Sequence, residues 1–555
     1  MKKIVTSILV ICMMVSLLTG CGKSDDNKGN NDAAKTPGSS SDNDNASGSK
    51  YQTTYGSKMF DDVTITVELY DRSNAPEGST ISNNRWEKYV NEQMNKVGIN
   101  VKFISVPRSD EISKMQTMMA SQTAPDLTLT YTYSHAQGYF KDGGTWDLTE
   151  FIAGEDQAQN LKTYLGQDVL DIGRMSTGEY YGIVAKRATT AQSNLFIRKD
   201  WLDDLNLAIP TTPDELFDAI YQIKNNHPKG LNNIIGMTFF GLNDTTNSVA
   251  YRNQLEMAFS QLTHDPKELD IAHGFDYYYD PGAREYYKFA NKCYNAGLLD
   301  QEYYTMTFDN FNGDIVNSKQ AFFEMNVNYN VDPLRGSLMH TLLENDPTAE
   351  LVSIPPLYNV VDGKQYSPTF AKGGLIAFCP KTASAEVVEA CMTYLDWMAT
   401  EEGGFVLHHG FEDEHFVYDG NKVPIVKDPE YNKVDKDWIR TDIFLVGNQG
   451  YFATIEDFNA CVAAEVPGFE QYVIDNYENA MVGTLVPATS YTSPSTPDIR
   501  IDLSLLCSEY LVQAITGPEA EFDKTYDKFM QECEKAGIKT IIEERTEYYT
   551  ELYGY

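Results

Sequence analysis

Aromatic side chains mixed with amide, hydroxyl and charged groups follow several predicted strands of this 555-residue sequence. A polar, ring-shaped solute needs flat apolar faces for its rings and fixed polar groups for its hydroxyls, because buried polar groups left unpaired disfavour a wrong ligand. The candidate binding residues are Asp71, Arg72, Tyr131, Tyr133, Ser134, Asn243, Asp244, Asn326, Asn328, Tyr329 and Lys372. For Tyr131 and Tyr133 the alternative is a buried tyrosine whose hydroxyl is hydrogen bonded inside the protein. For Asp71 and Arg72 it is a solvated turn.

Metal chemistry has less support in the sequence. Residues 408–415 (HHGFEDEH) form the densest group of histidines and carboxylates, but their order is not H-E-x-x-H, whose spacing places both histidines on one helix face. The glycines around this segment indicate a loop, and no D-x-D-x-D-G calcium loop occurs in the chain. We therefore predict neither a metal nor another cofactor.

The charge of the chain restricts its partners. There are 44 Lys and Arg against 80 Asp and Glu, which gives a formal net charge of −36. Such a surface does not attract a phosphate backbone, so we expect no nucleic-acid partner. It equally disfavours polybasic docking on anionic lipid. The composition, 42% hydrophobic and 12% aromatic, is that of a globular protein, and the length is enough for several structural units.

The first 58 residues read as an export and anchoring segment. Residues 1–20 have two lysines, then an apolar run from Ile4 to Leu18 that is shorter than the roughly 20 residues of a membrane span, as in a signal peptide. The run ends in Leu-Thr-Gly-Cys, similar to the bacterial lipobox, which makes Cys21 the lipidation site. Residues 21–58 are then the lipidated cysteine and a polar, disordered tether.

Six cysteines remain once Cys12 leaves with the signal peptide and Cys21 takes lipid. They show no C-x-x-C and no paired zinc-ligand spacing. Several lie on apolar helical stripes, as Cys391 and Cys533 do. The simplest interpretation is that they are small buried hydrophobic residues, and no disulfide pairing can be deduced.

The elements that position the candidate residues alternate between strands and helices. Residues 63–70 alternate with period two and predict a strand, and a helix follows with Asn83 or Asn84 as its N-cap and Gly98 as its stop. Further strands are predicted at 99–106 and 127–130, separated by a helix at 110–120. A β-α-β-α-β order implies a parallel sheet with helices on its faces.

A second region repeats these signals. Residues 195–198 predict a strand, and a helix opens with Thr212 as N-cap, Pro213 in its first turn and Glu215 closing a capping box. Residues 375–378 predict another strand, which leads into a helix.

The order of several short motifs resembles family 1 extracellular solute-binding proteins, the receptor subunits of ABC importers. The stretches are 123–127 (TAPDL), 181–183 (YGI), 195–203 (LFIRKDWLD), 210–215 (PTTPDE), 320–325 (QAFFEM) and 511–517 (LVQAITG). The RKDWLD segment followed by the PTT-capped helix is fairly specific. Together with the lipobox, the stretches span nearly the whole mature chain.

The resemblance implies an α/β fold of the type 2 periplasmic-binding-protein kind, with two lobes joined by crossing hinge strands. Lobe 1 would comprise 59–193 and 374–440, and lobe 2 would comprise 194–373 and 441–555. The ligand would sit in the cleft between the lobes, at the carboxyl ends of strands, and the lobes would close around it.

The resemblance also implies the partners. They are an extracellular solute, most often an oligosaccharide, and ABC permease subunits. We expect a monomer at the outer face of the cell membrane, held by its lipid alone. In similar sugar receptors the loop at 131–135 supplies an aromatic and a polar group to the cleft, and ligand contacts often follow the motif at 320–325.

Two alternatives remain. A secreted glycoside-active enzyme needs two carboxylates roughly 5–10 Å apart across a sugar bond, and 80 acidic residues make the count of such pairs uninformative. No G-x-S-x-G elbow and no phosphate-binding glycine–lysine loop occurs, so we predict a non-enzymatic protein. A surface lipoprotein that senses its ligand without import would have the same fold and site.

Overall fold

The structure is a computed structural model. It describes residues 59–175, 177–238, 253–261, 281–331, 337–418, 424–448, 450–452, 454–488, 493–495, 499, 502–503 and 505–553. Within these ranges, every helix is too short or too polar to cross a bilayer.

The strands of the described residues are β1 (Val63–Asp71), β2 (Ile99–Pro107), β3 (Thr128–Thr130), β4 (Ile183–Arg187), β5 (Ser193–Arg198), β6 (Ile235–Met237), β7 (Gln320–Asn326), β8 (Leu351–Ile354), β9 (Tyr366–Thr369), β10 (Gly373–Phe378), β11 (Phe416–Tyr418), β12 (Pro424–Val426), β13 (Gly447–Asn448) and β14 (Thr484–Pro487).

The α-helices are α1 (Arg85–Met94), α2 (Glu111–Ala120), α3 (Tyr133–Lys141), α4 (Thr149–Ile152), α5 (Gln159–Leu165), α6 (Gln167–Leu170), α7 (Lys199–Asp204), α8 (Pro213–Asn226), α9 (Asn253–Met257), α10 (Pro281–Asn295), α11 (Phe308–Val316), α12 (Leu338–Asn345), α13 (Ala385–Met398), α14 (Val406–His409), α15 (Pro429–Asn432), α16 (Trp438–Ile443), α17 (Ile455–Ala464), α18 (Glu470–Asn479), α19 (Val512–Thr516), α20 (Phe522–Ala536) and α21 (Ile538–Tyr553).

The strand, N-cap and helix end that the sequence predicts in residues 63–98 are present in the structure. In β1 the alternating residues Ile65, Val67 and Leu69 are fully buried. The side chain of Asn84 accepts hydrogen bonds from two backbone N–H groups of the first turn of α1, which confirms it as the N-cap. Gly98 ends the helical segment at φ +80°, and a Cβ there would lie 2.1 Å from a backbone oxygen, so only glycine fits.

Four strands of the first sheet run in the same direction. Its strands run in the order β13-β4-β10-β3, and the parallel pair β1-β2 joins through a parallel bridge between Val67 and Leu127. Strands β3 and β4 are both antiparallel to β10, so they run in the same direction as β1 and β2. The carboxyl ends of β1, β2, β3 and β4 therefore lie at one edge.

The second sheet has the order β6-β7-β5-β8. Strand β5 is antiparallel to β7 and β8, while β6 is parallel to β7, so the start of β5 lies beside the carboxyl ends of the other three strands. The N-cap predicted at Thr212 is confirmed, since its hydroxyl accepts from Glu215 N at 3.2 Å. The carboxylate of Glu215 accepts from Thr211 N at 2.8 Å and from Thr211 Oγ1 at 2.7 Å, and the backbone of Thr212 adds a further hydrogen bond to it.

The chain passes between the two sheets in three places: residues 188–192 lead from β4 to β5, residues 355–372, which include β9, lead from β8 to β10, and the chain after β13 continues to α17, which packs in a second-sheet core. Strand β9 pairs in parallel with β14, and Ala191 forms a bridge with Thr369, which ties the first two connections together.

The hydrophobic residues form separate cores. One core draws its buried residues from 60–185 and 375–446 and includes residues of the first sheet. Two further cores draw on residues between 191 and 541 and enclose the second sheet. The cysteines from Cys293 onward are all buried and free, as the sequence predicted for Cys391 and Cys533.

The last helix returns to the first core. Helix α21 begins with Ile538 and Ile541 buried in one of the second-sheet cores. Its later residue Tyr548 accepts a hydrogen bond from Gln137 Nε2 at 3.1 Å, on α3. A further ion pair joins Lys141 of α3 to Glu551 at 3.6 Å. Because α3 packs in the first core, α21 is a link between the cores in addition to the three connections.

Candidate ligand-binding site

The carboxyl edge of the first sheet collects aromatic and basic side chains. Tyr70 lies near the end of β1, Arg108 follows β2, Tyr131 follows β3 and Arg187 ends β4. Arg72 comes directly after β1. We call these five residues the arginine–tyrosine cluster. Open α/β sheets bind ligands at the carboxyl ends of their strands, and the cluster occupies that position.

The two tyrosines of the cluster are stacked. The ring centroids of Tyr70 and Tyr131 lie 6.1 Å apart, with an angle of 21° between the ring planes. The guanidinium carbon of Arg108 lies 4.7 Å from the centroid of the Tyr131 ring and 5.1 Å from that of Tyr70. Such cation–π contacts hold the arginine and the rings in a fixed arrangement. Tyr131 remains half-buried, so part of its surface is accessible to solvent.

Two arginines of the cluster have carboxylate partners. Arg72 forms a bidentate pair with Asp442 on α16, with distances of 2.6 and 2.9 Å from Nε and Nη2. Asp442 is 3% exposed, and this hydrogen bonding raises the pKa of the Arg72 guanidinium above its ordinary value. Arg108 pairs with Glu111 at 3.0 Å.

Arg187 has a different environment. Its Nε donates to the backbone oxygen of Ala371 at 3.1 Å, and its guanidinium carbon lies 4.8 Å from the ring centroid of Phe370. Within the described residues it forms no ion pair with a carboxylate. Burial lowers the pKa of its guanidinium, because desolvation disfavours the charged form.

Tyr131 is close to all three arginines. Burial is the main cause that raises the pKa of its hydroxyl, and the negative charge of Asp442 adds to it. The positive charges of Arg72, Arg108 and Arg187 act in the opposite direction. The edge therefore offers aromatic faces, a phenol and fixed hydrogen-bond donors at one place.

Other predicted residues of the first lobe lie outside this cluster. Tyr133 is 4% exposed, and its hydroxyl donates to Gly374 O at 2.6 Å, which is the arrangement of the structural alternative stated for it. Ser134 is half-buried in the first turn of α3. Asp71 accepts hydrogen bonds from Ser73 N at 2.8 Å and Ser105 Oγ at 3.3 Å in a local turn.

Lys372 lies in the second connection between the sheets. Its side chain is 62% exposed and pairs with Asp168 at 2.7 Å. The backbone oxygen of Lys372 accepts from Arg187 N, so the segment is held beside the cluster.

The second sheet contributes a group of asparagines at its corresponding edge. Asn326 ends β7 opposite Ser193, the first residue of β5. Asn328 and Asn330 follow β7, Asn194 lies on β5, and Asn476 lies on α18. The asparagine cluster is these five residues: Asn194, Asn326, Asn328, Asn330 and Asn476.

Hydrogen bonds connect members of the asparagine cluster, but some of the side-chain amide atoms form none. Asn476 Nδ2 donates to Asn328 Oδ1 at 3.0 Å, and Asn194 Nδ2 donates to Asn476 O at 2.7 Å. Oδ1 of Asn194, Asn326 and Asn330 and Nδ2 of Asn328 are buried and have no hydrogen-bond partner among the described residues. Asn194, Asn330 and Asn476 are fully buried, whereas Asn326 and Asn328 are half-buried, so these two are the members of the cluster that a polar group from outside the protein can reach.

Tyr329 lies next to this cluster and packs edge-on against Phe308, with centroids 5.2 Å apart and an angle of 87°. The predicted residues Asn243 and Asp244 lie outside the described residues.

Several site residues were not predicted from the sequence. Tyr70 and Arg108 sit at strand ends, and the rule that selected Tyr131 could have found them. No strand was predicted at 183–187, so Arg187 was not recognised as a residue at a strand end. Asp442 and Asn476 come from helices, where no local signal marks them.

The segment at 408–415 has a packing role. Phe411 stacks on Trp86 of α1 at 5.8 Å, and Glu414 pairs with Arg85 at 2.5 Å. His415 Nε2 lies 2.9 Å from Asp435. Across the described ranges, no three His, Cys, Asp or Glu residues come together as a ligand set.

Two cavities lie away from both clusters. One of about 580 Å³ is lined by residues of α1 and Phe411. The other, of about 440 Å³, lies at the opposite edge of the first sheet, between the end of α2 and Pro380. Neither is lined by a candidate binding residue.

Comparisons with known sequences identify relatives of the chain. The profile of the family described as "Bacterial extracellular solute-binding protein" matches residues 88–405. The polygalacturonan/rhamnogalacturonan-binding protein YtcQ of Bacillus subtilis (strain 168) is 24% identical over 463 residues, covering 80% of this chain and 84% of YtcQ. Lipoprotein LipO of the same organism is 22% identical over 342 residues, covering 60% of this chain and 62% of LipO.

A solved structure shares the fold. The HMO binding ABC-transporter associated solute-binding protein from Bifidobacterium longum infantis superposes with a TM-score of 0.61 at 16% identity, covering 88% of this chain and 99% of that one. This likeness confirms the predicted two-lobed α/β fold. Since the family profile spans more than half of the sequence, the chain belongs to the bacterial extracellular solute-binding proteins.

Proposed function

We propose that this protein is the substrate-binding lipoprotein of an ABC importer, and that it captures an oligosaccharide between two lobes. The observation that carries the proposal is the pairing of two polar, partly aromatic edges. The arginine–tyrosine cluster lies at the carboxyl edge of the first sheet, and residues 188–192 lead from that edge to the asparagine cluster of the second. Stacking faces and hydrogen-bonding groups on both sides are what a sugar requires.

The names of the relatives support a carbohydrate as the ligand. YtcQ is named as a polygalacturonan/rhamnogalacturonan-binding protein, and the Bifidobacterium structure as an HMO-binding one. Family members are binding proteins and not enzymes, so no catalytic step is part of the proposal.

The lobes move about the three connecting segments. We place the last boundary between the lobes at 448/449 instead of the predicted 440/441, because Phe444, Leu445 and Val446 pack in the first core and β13 pairs with β4. The boundaries at 193/194 and 373/374 stay as predicted. Ligand that contacts both lobes shifts the population towards the closed form by its differential affinity for that form.

The anchor and the partners follow from the sequence. Residues 1–20 direct export, the lipid on Cys21 holds the protein at the outer face of the membrane, and residues 22–58 act as the tether. The monomeric receptor then delivers its ligand to ABC permease subunits. The name of LipO, a lipoprotein, is consistent with this anchor.

A thermal-shift screen of residues 22–555 against a panel of neutral and acidic oligosaccharides tests the proposal. Ligand that binds only the folded state raises the melting temperature, and mass spectrometry after each hit shows whether the sugar is intact. A shift with intact sugar supports the receptor. Cleaved sugar would instead indicate an enzyme, and the absence of any shift would exclude an oligosaccharide ligand. Loss of uptake on deletion of adjacent permease genes distinguishes import from sensing.

A further inference from the structure

The arginine–tyrosine cluster carries excess positive charge. Its three guanidinium groups face two carboxylates, those of Asp442 and Glu111, which pair with Arg72 and Arg108. The positive charge of Arg187 is left without a counter-ion in the described part of the chain. This occurs in a protein of formal net charge −36, whose acidic residues outnumber the basic ones by 80 to 44.

A half-buried guanidinium without a carboxylate is unfavourable. Transfer of a charge from water towards the interior has a free-energy cost that is normally offset by a partner. Arg187 receives only partial compensation, from the oxygen of Ala371 and the ring of Phe370. Its terminal nitrogens Nη1 and Nη2 have no hydrogen-bond partner among the described residues, so the two-pronged end of the side chain is available to a ligand.

We infer that Arg187 binds a carboxylate of the ligand, and that the ligand is therefore an acidic oligosaccharide containing uronate residues. This inference rests on the proposed function and adds the chemical class of the sugar. Guanidinium and carboxylate match as a bidentate pair, and Tyr131, which is near Arg187, supplies the flat face for the ring that bears the carboxylate. Arg108, held against Tyr131 at 4.7 Å, adds a second positive charge on that face.

The test compares each acidic oligosaccharide with its carboxyl-reduced counterpart, in which CH2OH replaces the carboxylate. The probes are oligogalacturonate, oligomannuronate and glucuronate-substituted xylo-oligosaccharide, titrated calorimetrically into residues 22–555. The wild-type protein binds at least one acidic probe, and reduction of that probe weakens binding on the order of 10- to 100-fold, the loss expected for a charge-assisted hydrogen bond. The difference between the two probes shrinks as ionic strength rises.

Variants of Arg187 locate the effect. Arg187→Gln weakens binding of the acidic probe and brings the ratio between the affinities for the acidic and the reduced probe close to one. Arg187→Lys keeps the charge but not the bidentate geometry, so its affinity falls between the two. The matched control is Arg174→Gln, which removes an equal charge from an arginine that also packs on a tyrosine, at 5.5 Å, outside the cluster. Urea unfolding of every variant confirms that it is folded.

Failure of the inference and failure of the proposed function give different results. If acidic and reduced probes bind equally, or if Arg187→Gln binds the acidic probe like the wild type, the inference is overturned. If only neutral oligosaccharides bind, the proposed function stands and the inference fails. If no oligosaccharide binds, both are excluded. The comparison of probes on the wild-type protein needs no variant, so a variant that does not fold cannot mask the answer.

Discussion

Replacement of Glu68 by glutamine should stabilise the protein increasingly as the pH rises. Glu68 lies on β1, two residues before Tyr70, and is fully buried. Its Oε2 accepts from Leu129 N at 3.1 Å, while its Oε1 has no partner in the described part of the chain. Burial, together with the nearby charge of Glu111, raises the pKa of this carboxyl from the ordinary 4.5 to about 8.

The sign of the effect follows from proton binding. Below pH 4.5 the carboxyl is protonated in both the folded and the unfolded chain, so pH has no influence through this group. Between 4.5 and about 8 only the folded chain keeps the proton, and the free energy of unfolding falls with rising pH. At about 1.4 kcal/mol for each pH unit, the total loss is about 5 kcal/mol at pH 8 and about 3 kcal/mol at pH 7. Glutamine is neutral throughout and keeps an acceptor for Leu129 N.

Urea unfolding of residues 22–555 at half-unit steps from pH 4.5 to 8.5 measures the effect. The free energies of wild type and Glu68→Gln should coincide near pH 4.5 and diverge steadily up to pH 8. The control is Glu92→Gln on α1, an exposed position whose curve should run parallel to that of the wild type. Parallel curves for Glu68→Gln as well would show that Glu68 is ionised in the folded protein and would refute the reasoning.

The remaining predictions concern the site, the anchor and the buried histidines. Tyr131→Ala should weaken oligosaccharide binding by roughly 3- to 10-fold in calorimetry, because it removes an aromatic face, and an unchanged affinity would remove Tyr131 from the site. Tyr133→Phe should leave affinity unchanged and lower the free energy of urea unfolding by about 1 kcal/mol, since it loses the hydrogen bond to Gly374; a weaker affinity with unchanged stability would contradict its buried role. Cys21→Ser should move the protein from the membrane fraction to the medium on immunoblots, and retention in the membrane would argue against a lipid anchor. Burial lowers the pKa of His409 to about 3, so its contribution to stability, present above pH 6.5, should be lost as the pH falls towards 3; His409→Gln should flatten that part of the urea profile, and an unchanged profile would count against this cause.

Local signals in the sequence predicted the elements, and long-range pairing decided the site. The alternation of β1 and the caps at Asn84 and Thr212 depend on neighbouring residues, so they could be recognised without knowledge of the fold. The position of Tyr131 after β3 could be predicted for the same reason. Arg72 was predicted as a candidate too. Its partner Asp442 could not be predicted, because it lies 370 residues away on a helix that reaches Arg72 only in the folded structure.

The least predictable part is the asparagine cluster. Asn326 and Asn328 follow a recognisable strand, whereas Asn476 reaches them from α18, at a separation of 148 residues from Asn328. The sequence equally could not show that Arg187 has no carboxylate partner within the described ranges, because this depends on which acidic side chains the fold brings to that edge. Charge counts along the chain give only the net value of −36 and conceal this local reversal of sign.

The path of the last helix has a mechanical consequence. Helix α3, only nine residues long, starts two positions after Tyr131 and carries both Gln137 and Lys141, which α21 grips. Helix α21 thereby contacts both cores. If one core rotates against the other, either α21 moves with the first core or Tyr548 moves relative to Gln137. Motion at the carboxyl edge of the first sheet and motion at the end of α21 are therefore coupled through α3. A fluorescent or spin label near the end of α21 should therefore report whether the two lobes are open or closed.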